Sequence, residues 1–207
     1  RCSCLKPVAR NSTDRASATI ARGMTGTAPL RLALDGAALV ANWRWLAAQS
    51  GRAACGAAIK ANGYGLGARP VLERLAAAGC RDFFVTTWDE VRALGTLPDG
   101  VSLSVLHGVR DADMAEAQAS RARPTLNTVE QVKRWKQAGG GRCDVMVDTG
   151  MNRLGLSGAE VQKIAAASDI LSAFDVRHIM SHLACAENTA HAMNALQLNR
   201  FQDAVQN

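Results

Sequence analysis

The sequence predicts an α/β fold in which a parallel sheet is covered by helices, and three observations predict it. From residue 28 onward, short apolar runs alternate with longer segments of helical periodicity. The alternation is regular, with six strand–helix units in a row after one leading strand and helix. Polar and reactive residues gather just behind the apolar runs, where the carboxyl ends of such strands lie. Regular βα alternation needs crossover connections and therefore parallel strands. A doubly wound sheet and a (β/α)₈ barrel both satisfy this pattern, and alternation alone does not separate them.

The elements follow in order. RLALD, Arg31 to Asp35, reads as a short leading strand. GAALVANWRWLAAQSG reads as a helix with Asp35 as its N-cap and Gly51 as its stop. AACGAAI is the first strand of the repeating series and ends at Lys60, and ARPVLERLAAAG is the helix after it. RDFFVT is a strand that runs into TWDEVRAL, where Thr87 and Glu90 have capping-box spacing. VSLSVL is a strand and ADMAEAQAS a helix. RPTLN is a short strand before the helix TVEQVKRWKQAG, with Asn127 as its cap. CDVMV is a strand, and Ser157 and Glu160 repeat the capping-box spacing at the start of SGAEVQKIAAAS. DVRHIMS is the last strand. ENTAHAMNALQLNRFQDAV is the last helix, with Met193, Leu196, Phe201 and Val205 near one face.

Composition bounds the function. The chain of 207 residues is long enough for one domain with a real core. Residues 1–27 read as a basic, disordered leader, and residues 28–207 as the folded domain. The leader sets Arg1, Lys6, Arg10, Arg15 and Arg22 against Asp14, so most of the net charge of +6 sits there. The remainder is close to neutral and offers nucleic acid no basic face. No apolar run approaches the roughly 20 residues that span a bilayer. The cysteines, Cys2, Cys4, Cys55, Cys80, Cys143 and Cys185, form no CxxC pair and no disulfide framework. They read as reduced thiols in a cytoplasmic setting.

The chemistry concentrates at the ends of different strands. Lys60 closes AACGAAI, Asp148 and TGMNRLG follow CDVMV, and Ser181 and His182 follow DVRHIM. A lysine at the end of a buried strand is either a snorkelling side chain or an amine that captures an aldehyde cofactor. At neutral pH a free lysine is almost wholly protonated, and linkage to an aldehyde removes that obstacle. NGYGLG supplies Gly63, Gly65 and Gly67 beside Tyr64, the one tyrosine in the chain. That turn either cradles a phosphate or is an ordinary glycine turn with a surface phenol. Arg153 can present a donor fork to a phenolate or carboxylate, or make a surface salt bridge with Asp148. His178 and His182 lie on a strand rather than a helix, and Ile179 stands where an HExxH motif needs glutamate. No metal site is expected there. His107 and His191 show no partner in the sequence.

AAIKANGYGLGA, DTGMNRLGLS and SHLACAEN, in this order and at these separations, resemble alanine racemases from about Leu30 to the end of the chain. The resemblance implies a (β/α)₈ barrel that binds pyridoxal 5'-phosphate. It implies that the chain is its N-terminal part, with about six βα units present, the last two strands beyond Asn207 and a C-terminal β domain missing. It implies that Lys60 holds the cofactor and acts as one of two catalytic bases. Tyr64 would bond the phosphate, Arg153 the ring oxygen and the substrate region, and His182 the ring face. It also implies a cytoplasmic homodimer that interconverts L- and D-alanine and supplies D-alanine for the cell wall. Such chains carry their second base, a tyrosine, in the later part. The chain alone is therefore expected to be inactive, and the alternative is a non-catalytic cofactor-binding protein. Two departures stand out: Met146 occupies a position where many relatives have a lysine that orients the arginine, and Leu66 one where many have histidine.

Overall fold

The computed structural model describes residues 32–167 and 174–206, so the leader, residues 1–27, lies outside the described residues. Among those described, six strands form one parallel sheet in the order β1-β2-β3-β4-β5-β6. They are β1 (Ala57–Ala58), β2 (Asp82–Val85), β3 (Ser102–Val105), β4 (Arg123–Leu126), β5 (Gly141–Met146) and β6 (Phe174–Met180). Each strand pairs only with its neighbours in sequence, and no reversal of strand order divides the sheet. A doubly wound sheet requires such a reversal, so the order belongs to the barrel alternative. The structure is an incomplete barrel arc of six βα units.

Register separates the two faces. Phe83 pairs with Leu103 and Val85 with Val105, and all four are wholly buried. They pack with Leu72 and Leu75 of α2 (Ala68–Ala78), Trp88 of α3 (Trp88–Leu94) and Val132 and Trp135 of α5 (Val129–Gln137). Each such side chain contributes about 1.5–3 kcal/mol by leaving water. The opposite face is polar. Ser104 pairs with Arg123, Thr125 with Asp144, and Asp144 with His178 across a register shift in β5. Asp144 is wholly buried and accepts from Arg123 Nε at 2.7 Å. Arg123 Nη2 lies 2.8 Å from His178 Nδ1. His178 Nδ1 also lies 3.2 Å from Asp144 Oδ1, so the three side chains form one cluster.

Local signals explain most element ends. Asp35 accepts from Ala38 N at 2.9 Å and starts α1 (Gly36–Gln49). α1 rides outside the sheet, held where Trp43 Nε1 donates to Cys55 O at 3.0 Å. Glu90 accepts from Thr87 N at 3.2 Å, and Glu160 accepts from Ser157 N at 2.8 Å at the start of α6 (Gly158–Ala166). The cysteines Cys55, Cys80, Cys143 and Cys185 are free thiols.

Five expectations change. Residues 32–35 form no strand: a strand needs a ladder partner, and Leu32 stands 64% exposed. AACGAAI pairs only through Ala57 and Ala58, with Ile59 N donating once more to Phe84 O at 2.8 Å. Thr128, not Asn127, caps α5 by accepting from Gln131 N. Asn127 turns inward and donates to the carbonyls of Leu106 and Thr125. The segment ADMAEAQAS begins as a short 3₁₀ turn and becomes α4 only at Met114–Ala119, while the last helix, α7, covers Ala192–Gln206. Before α7 the chain turns, with Ala190 N donating to Asn188 Oδ1 and Met193 N to His191 Nδ1. No helix among the described residues is long and apolar enough to cross a membrane.

Candidate active site

Lys60 leaves β1 one residue beyond Ile59, half-buried at the mouth of the polar face. The backbone then turns with the wrong hand. Ala61, Asn62 and Gly63 have φ of 51°, 53° and 64° with ψ of 47°, 48° and 38°, and Tyr64 has φ of 54°. A left-handed run costs a non-glycine residue roughly 1–2 kcal/mol, and strain of this kind collects at functional positions. Several bonds hold it. Gly63 N donates to Ile59 O at 2.8 Å and Gly65 N to Ala61 O at 3.0 Å. Asn62 Oδ1 accepts from Ala68 N at 2.9 Å and so caps α2. Glu90 reaches across from α3: one carboxylate oxygen accepts from Ala61 N and the other from Thr86 N and Thr87 N. Gly63 is required by space as well as by φ, since a Cβ there would lie 3.1 Å from Ala68 N.

The loop after β5 is built differently. Asp148 Oδ1 accepts from Gly150 N at 2.9 Å and from Asn152 N at 3.1 Å. The carboxylate therefore closes its own loop, and Asp148 is not an ion-pair partner of Arg153, contrary to the plainer reading of DTGMNR. Gly155 lets the chain return, because a Cβ there would sit 2.5 Å from Asp148 N. Arg153 is exposed and, among the described residues, neither it nor Lys60 has a carboxylate partner.

These strand ends surround one cavity of about 820 Å³, lined by Lys60, Tyr64, Arg153, His182, His107 and His178, among others. All four residues singled out for the site in the sequence thus face one space. Tyr64 is 63% exposed at the rim. The His182 imidazole is held below its ordinary pKa by burial first, then by the charges of Arg153 and Lys60. It is neutral across the neutral range and can lie against an aromatic ring without adding charge. The cavity size suits a small ligand. An amine and a guanidinium suit an anionic ligand that carries a carbonyl; the lining also holds Asp82, whose Oδ1 accepts from Ser102 Oγ at 2.6 Å and which pairs with neither cation.

Sequence reasoning missed several members. His107 and His178 line the cavity although nothing around them in sequence marks them. Glu90 was visible only as a helix cap. Gln197 of α7 is 1% exposed and bonded to both loops, and no sequence signal marks it.

Comparison with known proteins agrees with this geometry. The family profile described as alanine racemase, N-terminal domain, matches residues 34–207. The alanine racemase of Rhodospirillum rubrum is 41% identical over 189 residues, covering 86% of this chain and 49% of that protein. That of Acidiphilium cryptum is 38% identical over 174 residues, covering 82% and 48%. Among solved structures, the alanine racemase of Bartonella henselae with covalently bound pyridoxal phosphate superposes with a TM-score of 0.76 at 35% identity, covering 84% of this chain and 50% of that one. The chain spans about half the length of the curated relatives it matches. A match of this extent, on a parallel barrel arc with a lysine at its first strand end, means that the chain belongs to the alanine racemase N-terminal domain family.

Proposed function

We propose that this chain is the cofactor-holding part of a pyridoxal-phosphate-dependent alanine racemase. The observation that carries the reading is the convergence of Lys60, Arg153 and His182 from the ends of β1, β5 and β6 on one cavity, with no acid among the described residues paired to either cation. The residues fit the cofactor: a half-buried amine for its aldehyde, a glycine-rich turn with Tyr64 for its phosphate, Arg153 for its ring oxygen and neutral His182 for its ring face. When bound, the cofactor supplies a conjugated ring that accepts the electron pair left as the Cα proton departs.

In that role the Lys60 amine would hold the cofactor and would take or return the proton at Cα on its own face. Arg153 directs its donors at the ring oxygen and the substrate carboxylate. Tyr64, at the rim, holds the phosphate and stays outside proton transfer. The second proton-handling group of this reading is a tyrosine other than Tyr64, the one tyrosine of this chain, and the working unit is a homodimer. The free thiols and the near-neutral body of the fold suit a cytoplasmic enzyme that makes D-alanine and binds no nucleic acid.

The test is to incubate the chain with pyridoxal phosphate and L-alanine in deuterated water, then trap with borohydride. Exchange at Cα with inversion supports racemisation by the chain. Exchange with retention supports one working base and a second supplied from elsewhere. Capture at Lys60 without exchange marks a non-catalytic cofactor-binding protein, the alternative reading. Failure to find cofactor on Lys60 by peptide mass analysis removes the binding reading itself.

A further inference from the structure

Gln197 is the only fully buried residue of α7 among those described, at 1% exposure, and it is polar. A buried amide is costly unless its donors and acceptor are met, and here all are. Nε2 donates to Thr149 Oγ1 at 3.0 Å and to His182 O at 2.9 Å. Oε1 accepts from Ala184 N at 2.8 Å. The amide orientation is fixed by its surroundings, since two acceptors face the nitrogen and one N–H faces the oxygen. Thr149 Oγ1 is also hydrogen-bonded to Ser181 Oγ at 2.7 Å, where either hydroxyl can donate. One helix turn on, Arg200 Nη1 donates to Thr149 O at 3.0 Å.

The partners of Gln197 sit on the two loops that carry the site. Thr149 lies beside Asp148, whose carboxylate ties Gly150 and Asn152, the residue before Arg153. His182 is held through its own carbonyl. We propose that Gln197 is a positioning residue: its amide fixes the spacing between the Thr149 loop and the His182–Ala184 segment, and through them aims Arg153 and His182 at the cavity that holds Lys60. This rests on the function proposed above. A methionine of the same length would fill the space but meet none of the three bonds, so the polar choice serves placement rather than packing.

The experiment uses Gln197→Met and Thr149→Val in the full chain and follows the His182 ring protons by NMR titration, with His191 as an internal reference. In Gln197→Met, the His182 titration is expected to rise toward the ordinary histidine value as the ring loses its partial burial first, and then the nearby charges of Arg153 and Lys60. Pyridoxal phosphate capture at Lys60 is expected to weaken roughly tenfold or more. Thr149→Val, which removes one partner only, is expected to give a smaller rise of the same sign and stands as the test if Gln197→Met does not fold. An unmoved His182 titration in a folded variant, or equal movement of His182 and His191, overturns the proposal. Should the parent chain capture no cofactor at Lys60, the functional reading fails, while the His182 titration still decides the role of Gln197.

Discussion

Glu90→Ala tests how the strained turn after Lys60 is held. The substitution removes the acceptors of three backbone N–H groups, those of Ala61, Thr86 and Thr87. Ala61, Asn62 and Tyr64 are non-glycine residues in the left-handed region, together storing about 3–6 kcal/mol. Hydrogen bonds to a charged group contribute about 1.5–3 kcal/mol each. Water can reach these half-buried N–H groups once the carboxylate is gone, so the net loss is placed at about 2–4 kcal/mol. For a domain of this size, that lowers Tm by about 4–16 °C. Amide exchange at Gly63 and Gly65, whose N–H groups close the turn, should accelerate more than exchange in β3. Glu90→Gln should fall between, because its amide nitrogen must face an N–H donor whichever way it turns. A Glu90→Ala variant that melts within about 1 °C of the parent, with Gly63 exchange unchanged, would refute the reasoning.

Arg123→Met leaves the buried Asp144 without its guanidinium, facing only His178 Nδ1 at 3.2 Å, and should cost about 3–5 kcal/mol, read as a fall in the urea midpoint. The Arg110 side chain, by hydrogen bonding to the Asp113 carboxyl, holds that group below its ordinary value. A depressed folded pKa gives stability present above the unfolded value and lost as pH falls through the folded one. Asp113→Asn should therefore cost about 1 kcal/mol at pH 7, and its gap from the parent should close in acid, measured as urea midpoints against pH. Burial pushes the Cys80 thiol up to about 11 and the Cys143 thiol up to about 12. Neither should be alkylated by iodoacetamide at pH 8 in the native fold, and both should be in denaturant, as mapped by peptide mass analysis.

What the sequence revealed was what is local or periodic. The βα alternation, the Asp35 cap and the Glu90 and Ser157–Glu160 boxes depend on residues within a few positions of one another, and each stands as expected. The strand-end rule brought Lys60, Arg153 and His182 to one cavity without any distance being known. What stayed hidden is set by contacts across the fold. Glu90 announces a cap, but its reach to Ala61, 29 residues away, has no sequence period. Gln197 sits among Leu196, Leu198 and Phe201, where an apolar stripe suggests a core of leucines. Leu196 and Leu198 are instead exposed and the glutamine is buried, because its partners lie 13, 15 and 48 residues upstream. RLALD has the composition of a strand, but composition supplies no ladder partner. The left-handed hand of the Lys60 turn is likewise invisible: Ala61 carries no mark of it, and only Asn62 and Gly63 belong to types that tolerate it.

The order of the sheet also orders its assembly in time. Because neighbours in space are neighbours along the chain, each strand emerging during synthesis finds a finished edge waiting, and no segment must be held aside for a distant mate. The reactive amine is thus in place early, on a strand tethered by few rungs. The tie that draws the arginine loop and the histidine segment together arrives only with α7. A nascent chain halted before that helix would display its amine without the groups meant to govern it.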